Sequence, residues 1–223
     1  GSGNRFRDTW LGNVRIPFPR HYVLGIDHQK FDFERGLRSY LRGQWQPRGW
    51  WYYYLYALAI KIPLGTWLLV LLAICLKLWG FGGVHASHER DAPHWGDVLH
   101  LLAPLGTILV LVGSQAGFSH HLRYVLPIFP FVFVWTSQIA AKAAELNWAI
   151  RLPTLGAALW SIVSSLWIYP HSLSYFNELA GGPRNGHAHL VDSNIDWGQD
   201  LLYLKRWLDE HPEARPLHFV YFG

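Results

Sequence analysis

The sequence predicts a mainly α-helical, polytopic membrane bundle of about four transmembrane helices, followed by the start of a small soluble α/β domain. Three observations predict it. Of 223 residues, 51% are hydrophobic and only 15% charged, with 13 Trp among them, a composition unusual for a soluble protein of this size. Four apolar segments approach or reach the roughly 20 residues that a helix needs to cross a bilayer core. After residue 170 the composition turns polar and Gly-rich.

Residues 1–50 read as a loop or interfacial arm. They carry nine Lys/Arg against four Asp/Glu, a balance suited to an anionic membrane surface or to phosphate groups. Gly1-Ser2-Gly3 is either native or a cloning scar. The chain holds no Met and stops at Val220-Tyr221-Phe222-Gly223 within a strand-like run, so it is expected to be an internal fragment of a longer protein.

Residues 51–170 hold the expected spans, at about 63–79, 97–114, 124–141 and 152–169. Their length separates them from the buried helices of soluble proteins. Trp50, Trp51, Tyr52, Tyr53 and Tyr54 precede the first span and Trp79 closes it, an arrangement that fits aromatic belts at both interfaces. Pro63 starts the first span. Pro127 is expected in the first turn of the third, with Pro130 bending it one turn later, and Pro153 is expected to start the fourth. Four spans place both ends of the chain on one side. Lys77, Arg90, Lys142 and Arg151 weakly assign the loops at 80–96 and 142–151 to the cytoplasm, whereas the basic arm argues the reverse.

Residues 171–223 begin the soluble region. Asp196, with Gln199 three positions on, has the spacing of a capping box. Leu201, Leu204 and Leu208 form one stripe of the helix that follows, Pro212 lies past its end, and Leu217–Phe222 reads as a strand.

The strongest chemical lead is Arg123-Tyr124. A guanidinium where a membrane segment begins needs an anion or water, and its planar fork suits phosphate; the alternative role is a snorkelling topology anchor. His120 and His121 precede it, and His21, His28, His171, His187 and His189 are expected near the same face. Their spacing matches no closed zinc site, so no metal site is assigned, although divalent-metal dependence stays open. Lys61 is placed either to reach a phosphate or sugar hydroxyl or to snorkel to the interface. Asp192 to Asp200 places oxygen ligands at alternate positions like a calcium loop, but Trp197 stands where that loop needs Gly and Tyr203 where it needs Glu. A capping loop fits better, with Asp192, Asn194 and Asp196 available to line a polar groove. The lone Cys75 reads as a buried small hydrophobe and excludes a disulfide framework. Walker loops, nucleophile elbows, dinucleotide fingerprints and nucleic-acid modules are all missing. No cofactor is identified, and nucleic acid is not an expected partner.

The order Pro19-Arg20-His21-Tyr22-Val23-Leu24-Gly25, Trp51-Tyr52-Tyr53-Tyr54 through Lys61-Ile62-Pro63-Leu64, His121-Leu122-Arg123-Tyr124-Val125-Leu126-Pro127 and Asp192-Ser193-Asn194-Ile195-Asp196-Trp197-Gly198-Gln199-Asp200-Leu201 resembles the C-terminal half of bacterial integral-membrane glycosyltransferases. These are the GT-C enzymes of glycosyltransferase family 39, related to protein O-mannosyltransferases and to the aminoarabinose transferase of lipid A. The resemblance covers roughly residues 17 to 223. It implies a polyprenyl-phosphate sugar donor, an acceptor of unknown identity, and a multi-pass protein of the inner membrane of the cell envelope. Residues 1–50 and 171–223 would be extracytoplasmic, and Arg123, Tyr124, Lys61 and His121 would lie at the lipid-phosphate site. The family's catalytic carboxylate lies in an earlier loop that these residues do not include. The fragment would therefore be inactive alone. A transporter or flippase of lipid-linked substrates, or a non-catalytic membrane subunit, are the alternative readings; transporters, however, usually carry repeat symmetry that is not seen here.

Overall fold

The computed structural model describes residues 8–15, 17–78, 95–114, 117–145 and 148–219. Residues 1–3, Trp79, Arg90 and the last part of the expected strand, 220–222, lie outside them.

The first helix, α1 (Arg20–Arg35), follows Pro19 and ends at Gly36 with φ 72, a left-handed value that glycine adopts without a Cβ clash. A hairpin comes next, β1 (Ser39–Leu41) paired antiparallel with β2 (Gln44–Gln46). Its two turn residues, Arg42 and Gly43, both have positive φ, the geometry that matches strand twist in a two-residue hairpin. Helix α2 (Tyr53–Lys61) stops short of Pro63, and α3 (Leu64–Leu78) leaves at 108° to it. Then follow α4 (Trp95–Ser114), a 3-10 segment at Leu122–Ile128 that runs into α5 (Phe129–Glu145), and α6 (Trp148–Trp167). The remainder is a succession of short 3-10 turns and one further helix, α7 (Leu201–Glu210).

Among the described residues, Leu122–Ile139 and Trp148–Trp167 are long and apolar enough to cross a membrane, and α2 with α3 makes a third if that bent pair is one span. The apolar part of α4, Val98–Ser114, is shorter, about 26 Å at 1.5 Å per residue against a hydrocarbon core of about 30 Å. Among the described residues two to three helices thus meet the length and composition of a span, where the sequence leads to an expectation of four. Outward faces are apolar: Leu68 and Leu71 on α3, Phe133 and Val134 on α5, Leu155, Leu159, Ile162 and Leu166 on α6 are all exposed. A continuous apolar surface of this kind suits hydrocarbon rather than water. Cys75 belongs to this outer surface and is exposed, not buried as expected.

Helices α3 and α6 meet through small residues. A Cβ at Gly65 would lie 2.2 Å from Ala157 O and 2.7 Å from Ser161 N, so only glycine allows this backbone approach. Thr66 and Ser161 hydroxyls hydrogen-bond beside it at 3.0 Å. Ala73 and Leu76 of α3 pack on Ile139 of α5 in a small second core.

The larger core lies at one end of the bundle, around α2. Tyr53, Tyr54, Ala57, Leu58 and Ile60 are buried there with Leu41 of the hairpin, Val125 and Ile128 of the 3-10 segment, and Phe176, Ala180 and Leu190 of the C-terminal turns. Tyr53 and Tyr54, at 1% and 3% exposure, are core residues rather than members of an aromatic belt, whereas Trp51 remains 73% exposed. The hairpin is tied to the same layer. Tyr40 Oη donates to His187 O at 2.8 Å, Arg42 N to His189 O at 3.0 Å, and Ser119 N to Ser39 Oγ at 2.8 Å. Residues 36–50, 117–128 and 171–196 thus form one cap over α2.

Several local expectations are corrected. Pro127 lies inside the 3-10 segment, and Pro130, not Pro127, occupies the first turn of the α-helix, where a missing N–H costs little. Pro153 is inside α6, because the helix already starts at Trp148, five residues upstream. Leu217–Phe219 form no strand, and among the described residues the hairpin supplies the strands, so no α/β domain is seen there.

Candidate functional site

The site is built on the end that Pro63 imposes on α2. Proline has no N–H to give to Ala59 O, and the last carbonyls of a helix are orphaned in any case. Asn177 satisfies them. Its Nδ2 donates to Ala59 O at 2.7 Å and Ile62 O at 2.9 Å, and its backbone N donates to Ile60 O at 2.8 Å. Asn177 is 1% exposed. Its Oδ1 in turn accepts from Leu179 N at 3.1 Å, so the whole side chain is used.

Asn194 is a second buried amide joint. Its Nδ2 donates to Tyr53 Oη at 3.0 Å, His120 O at 2.5 Å and Val191 O at 3.1 Å, while its Oδ1 accepts from Leu122 N at 3.1 Å. The backbone oxygen of Asn194 accepts from Lys61 Nζ at 2.6 Å, and Leu173 O accepts from the same ammonium at 2.6 Å. Lys61 also lies 4.2 Å from the centre of the Phe176 ring. Placed at the C-terminal end of α2, its charge complements the helix dipole. Lys61 therefore ties two C-terminal turns to α2, and Asn194 ties them to the start of the membrane-competent helix.

This joint sets the position of Arg123. The guanidinium carbon lies 5.7 Å from the Tyr124 ring centre and 5.4 Å from that of Trp197, and the residue is exposed. The described ion pairs involve other residues: His28–Asp32, Lys30–Glu34 and Arg215–Asp209. His121 completes the group, its ring 5.6 Å from Tyr124 and 6.1 Å from Trp197, with Nδ1 hydrogen-bonded to Ser193 Oγ. Burial pushes the His121 pKa down, Arg123 pushes it further the same way, and Asp192 opposes them. The imidazole is thus kept toward its neutral form beside a permanent cation.

The acidic turn divides three ways. Asp192 is exposed and sits at φ 62, its Oδ1 accepting from Ser193 N at 2.5 Å. Asn194 faces the interior, at 2% exposure. Asp196 Oδ1 accepts from Gly198 N at 3.0 Å and Asp200 N at 3.3 Å, and Gln199 Oε1 accepts from Trp197 N at 2.6 Å. These bonds resemble the expected capping box but close a turn ahead of α7, whose N-cap is Asp200. The displacement follows from Gly198, whose φ of 96 is not helical.

The histidines do not converge. His21 and His28 lie on α1, His171 packs 5.3 Å from Tyr203, and His189 is a structural link. Its Nε2 donates to Ala180 O at 3.1 Å, so its Nδ1 accepts from Tyr56 Oη at 2.5 Å. No three His, Cys, Asp or Glu among the described residues are placed to hold a metal ion.

Of the expected site residues, the structure gathers Arg123, Tyr124 and His121 on one exposed patch, with Asp192 beside it and Lys61 behind it through Asn194. Asn177 and Trp197 were not foreseen as site residues. Pro63 signals an orphan carbonyl, but nothing local says that a residue more than a hundred positions away satisfies it.

The fold defines a class: a mainly helical protein with two or three apolar helices able to cross a membrane, capped at one end by a polar layer with an exposed cation. No protein-family model, curated protein or solved structure matches the chain.

Proposed function

We propose that this chain is the lipid-phosphate-binding part of a multi-pass inner-membrane glycosyltransferase, which moves a sugar from a polyprenyl-phosphate donor to an extracytoplasmic acceptor. The observation that carries the reading is Arg123. It is an exposed guanidinium at the first turn of Leu122–Ile139, held over two aromatic rings, with no described carboxylate paired to it. A cation in that position favours a phosphate at headgroup level over the hydrocarbon beneath. The shared cap of residues 36–50 and 171–196 supports placing both on one side of the membrane, which the proposal takes as the extracytoplasmic side.

In the proposed reaction an acceptor hydroxyl or amine loses its proton to a carboxylate outside these residues and attacks the anomeric carbon. The bond to the donor phosphate oxygen breaks, and the polyprenyl phosphate leaves with the electron pair. Arg123 would stabilise the growing phosphate charge, with His121 adjoining it and Tyr124 fixing its plane; removing one such donor typically costs about 10²–10³ in turnover. Asp27, Asp32, Asp192 and Asp196 are not assigned as the base.

The full-length protein with Arg123→Ala should insert normally into membranes and lose about two orders of magnitude in transfer from a polyprenyl-phosphate sugar. Unchanged turnover would overturn the proposal.

A further inference from the structure

Trp197 is a large aromatic side chain that the cap does not bury. It is 52% exposed, yet the backbone on both sides is pinned: its N–H goes to Gln199 Oε1, Gly198 N to Asp196 Oδ1, and Gln199 Nε2 to Ile195 O at 3.0 Å. One part of the indole lies over Arg123, and the His121 ring meets it edge-on. An indole fixed in this way can receive a flat apolar surface with little ordering cost.

Asp192 is held in a comparably specific way. Its left-handed backbone is uncommon for a residue with a Cβ, and it is maintained by Ser193 N on Oδ1 and by Ile195 N donating to Asp192 O at 2.8 Å. The result is an exposed carboxylate near enough to His121 to act on its charge, and His121 Nδ1 bonds the neighbouring Ser193 hydroxyl. Cation, indole and carboxylate therefore all neighbour one imidazole.

We propose that the turn at 192–197 is a carbohydrate subsite, in which Trp197 stacks on the C–H face of a sugar ring and the Asp192 carboxylate accepts from its hydroxyls, next to the phosphate-facing Arg123. The proposal rests on the lipid-phosphate reading and adds to it the part that distinguishes a sugar-bearing lipid from a bare one. A pyranose has a polar rim and apolar faces, so it matches an indole beside a carboxylate. A bare polyprenyl phosphate has no hydroxyl-rimmed ring to place between them. A Trp that merely anchored the protein at the membrane interface would not sense the difference.

The test uses full-length protein in detergent and measures binding of polyprenyl phosphate and of polyprenyl-phosphate hexose, pentose and N-acetylhexosamine. Wild-type protein is expected to prefer at least one sugar-bearing lipid to the bare one. Trp197→Leu should weaken that lipid about ten-fold and leave bare polyprenyl phosphate nearly unchanged, while Trp197→Phe retains most of the preference. Asp192→Asn, which tolerates the left-handed backbone, should weaken the sugar-bearing lipid alone. Arg123→Gln should weaken every lipid. Equal wild-type affinity for bare and sugar-bearing lipids, or equal losses for both in Trp197→Leu, would overturn the carbohydrate subsite and leave the lipid-phosphate reading intact. Absence of any polyprenyl-phosphate binding by wild-type protein would overturn both.

Discussion

Two buried asparagines hold the cap to the bundle, and each acts by supplying partners that the backbone lacks. Truncating Asn177 would leave Ala59 O and Ile62 O without their side-chain donor, and each buried unsatisfied polar group costs about 1–3 kcal/mol. Asn177→Ala is thus expected to lower the unfolding midpoint of the detergent-solubilised protein clearly; an unaltered midpoint would mean that water replaces the amide. His121 gives a pH dependence of definite sign. Its folded pKa lies below the ordinary histidine value of about 6.5, chiefly because of burial. Between the folded and unfolded values the unfolded chain binds more protons, so stability rises with pH across that window. The contribution is present above about pH 6.5 and is lost as the pH falls through the folded value. Melting curves from pH 7 to 5 should fall more steeply for wild-type protein than for His121→Asn, and parallel curves would exclude the effect. None of these partnerships was legible locally. The sequence marks Asn177 as part of a Gly-rich stretch and Asn194 as a candidate for a polar groove, while their bonding is decided by chain segments far away.

At the scale of elements, the reading was best where a residue's own geometry dictates the outcome. Pro63 separates α2 from α3 because its N–H is missing, and Pro212 follows the end of α7. It failed where context competes with propensity. Pro153 was expected at a helix start, yet the helix already starts at Trp148 and runs through it, as membrane helices tolerate. Gly65 had no assigned role, although the α3–α6 contact depends on it. Gly65→Leu should separate these helices, since the obstacles are backbone atoms at 2.2 and 2.7 Å that cannot turn aside. Overpacking of this kind costs about 1–3 kcal/mol or more, and the check is a reduced melting temperature in detergent. A melting temperature equal to that of wild type would show that the contact is not formed.

For the whole molecule, the exposed apolar faces of α3, α5 and α6 are the property that a membrane would explain. Cys75 is the chain's one cysteine and is exposed on α3, which makes it a direct probe. In sealed native membranes neither an uncharged nor a charged maleimide should label it until the protein is denatured, because a thiol facing hydrocarbon stays protonated and the thiolate is the nucleophile. Labelling by the charged reagent in intact membranes would place α3 in water.

Hydrophobic length and proline position are local quantities, so the helical class, the apolar segments and the break at Pro63 could be read directly along the chain. Arg123 was also legible, because a cation beside a long apolar run is costly wherever the rest of the chain lies. The cap was not. Tyr53 and Tyr54 are buried because the hairpin and the turns at 176–190 cover them, and Trp197 becomes a site residue because Asn194 brings its turn against residues 120–122. Apart from the nearby hairpin, such contacts join segments more than 70 positions apart, and the sequence pattern contains no periodic signal for which distant polar group will satisfy which backbone atom. Burial and hydrogen-bond satisfaction are properties of the assembled chain, and here they turned an aromatic run into a core and a failed calcium loop into a wall of the site.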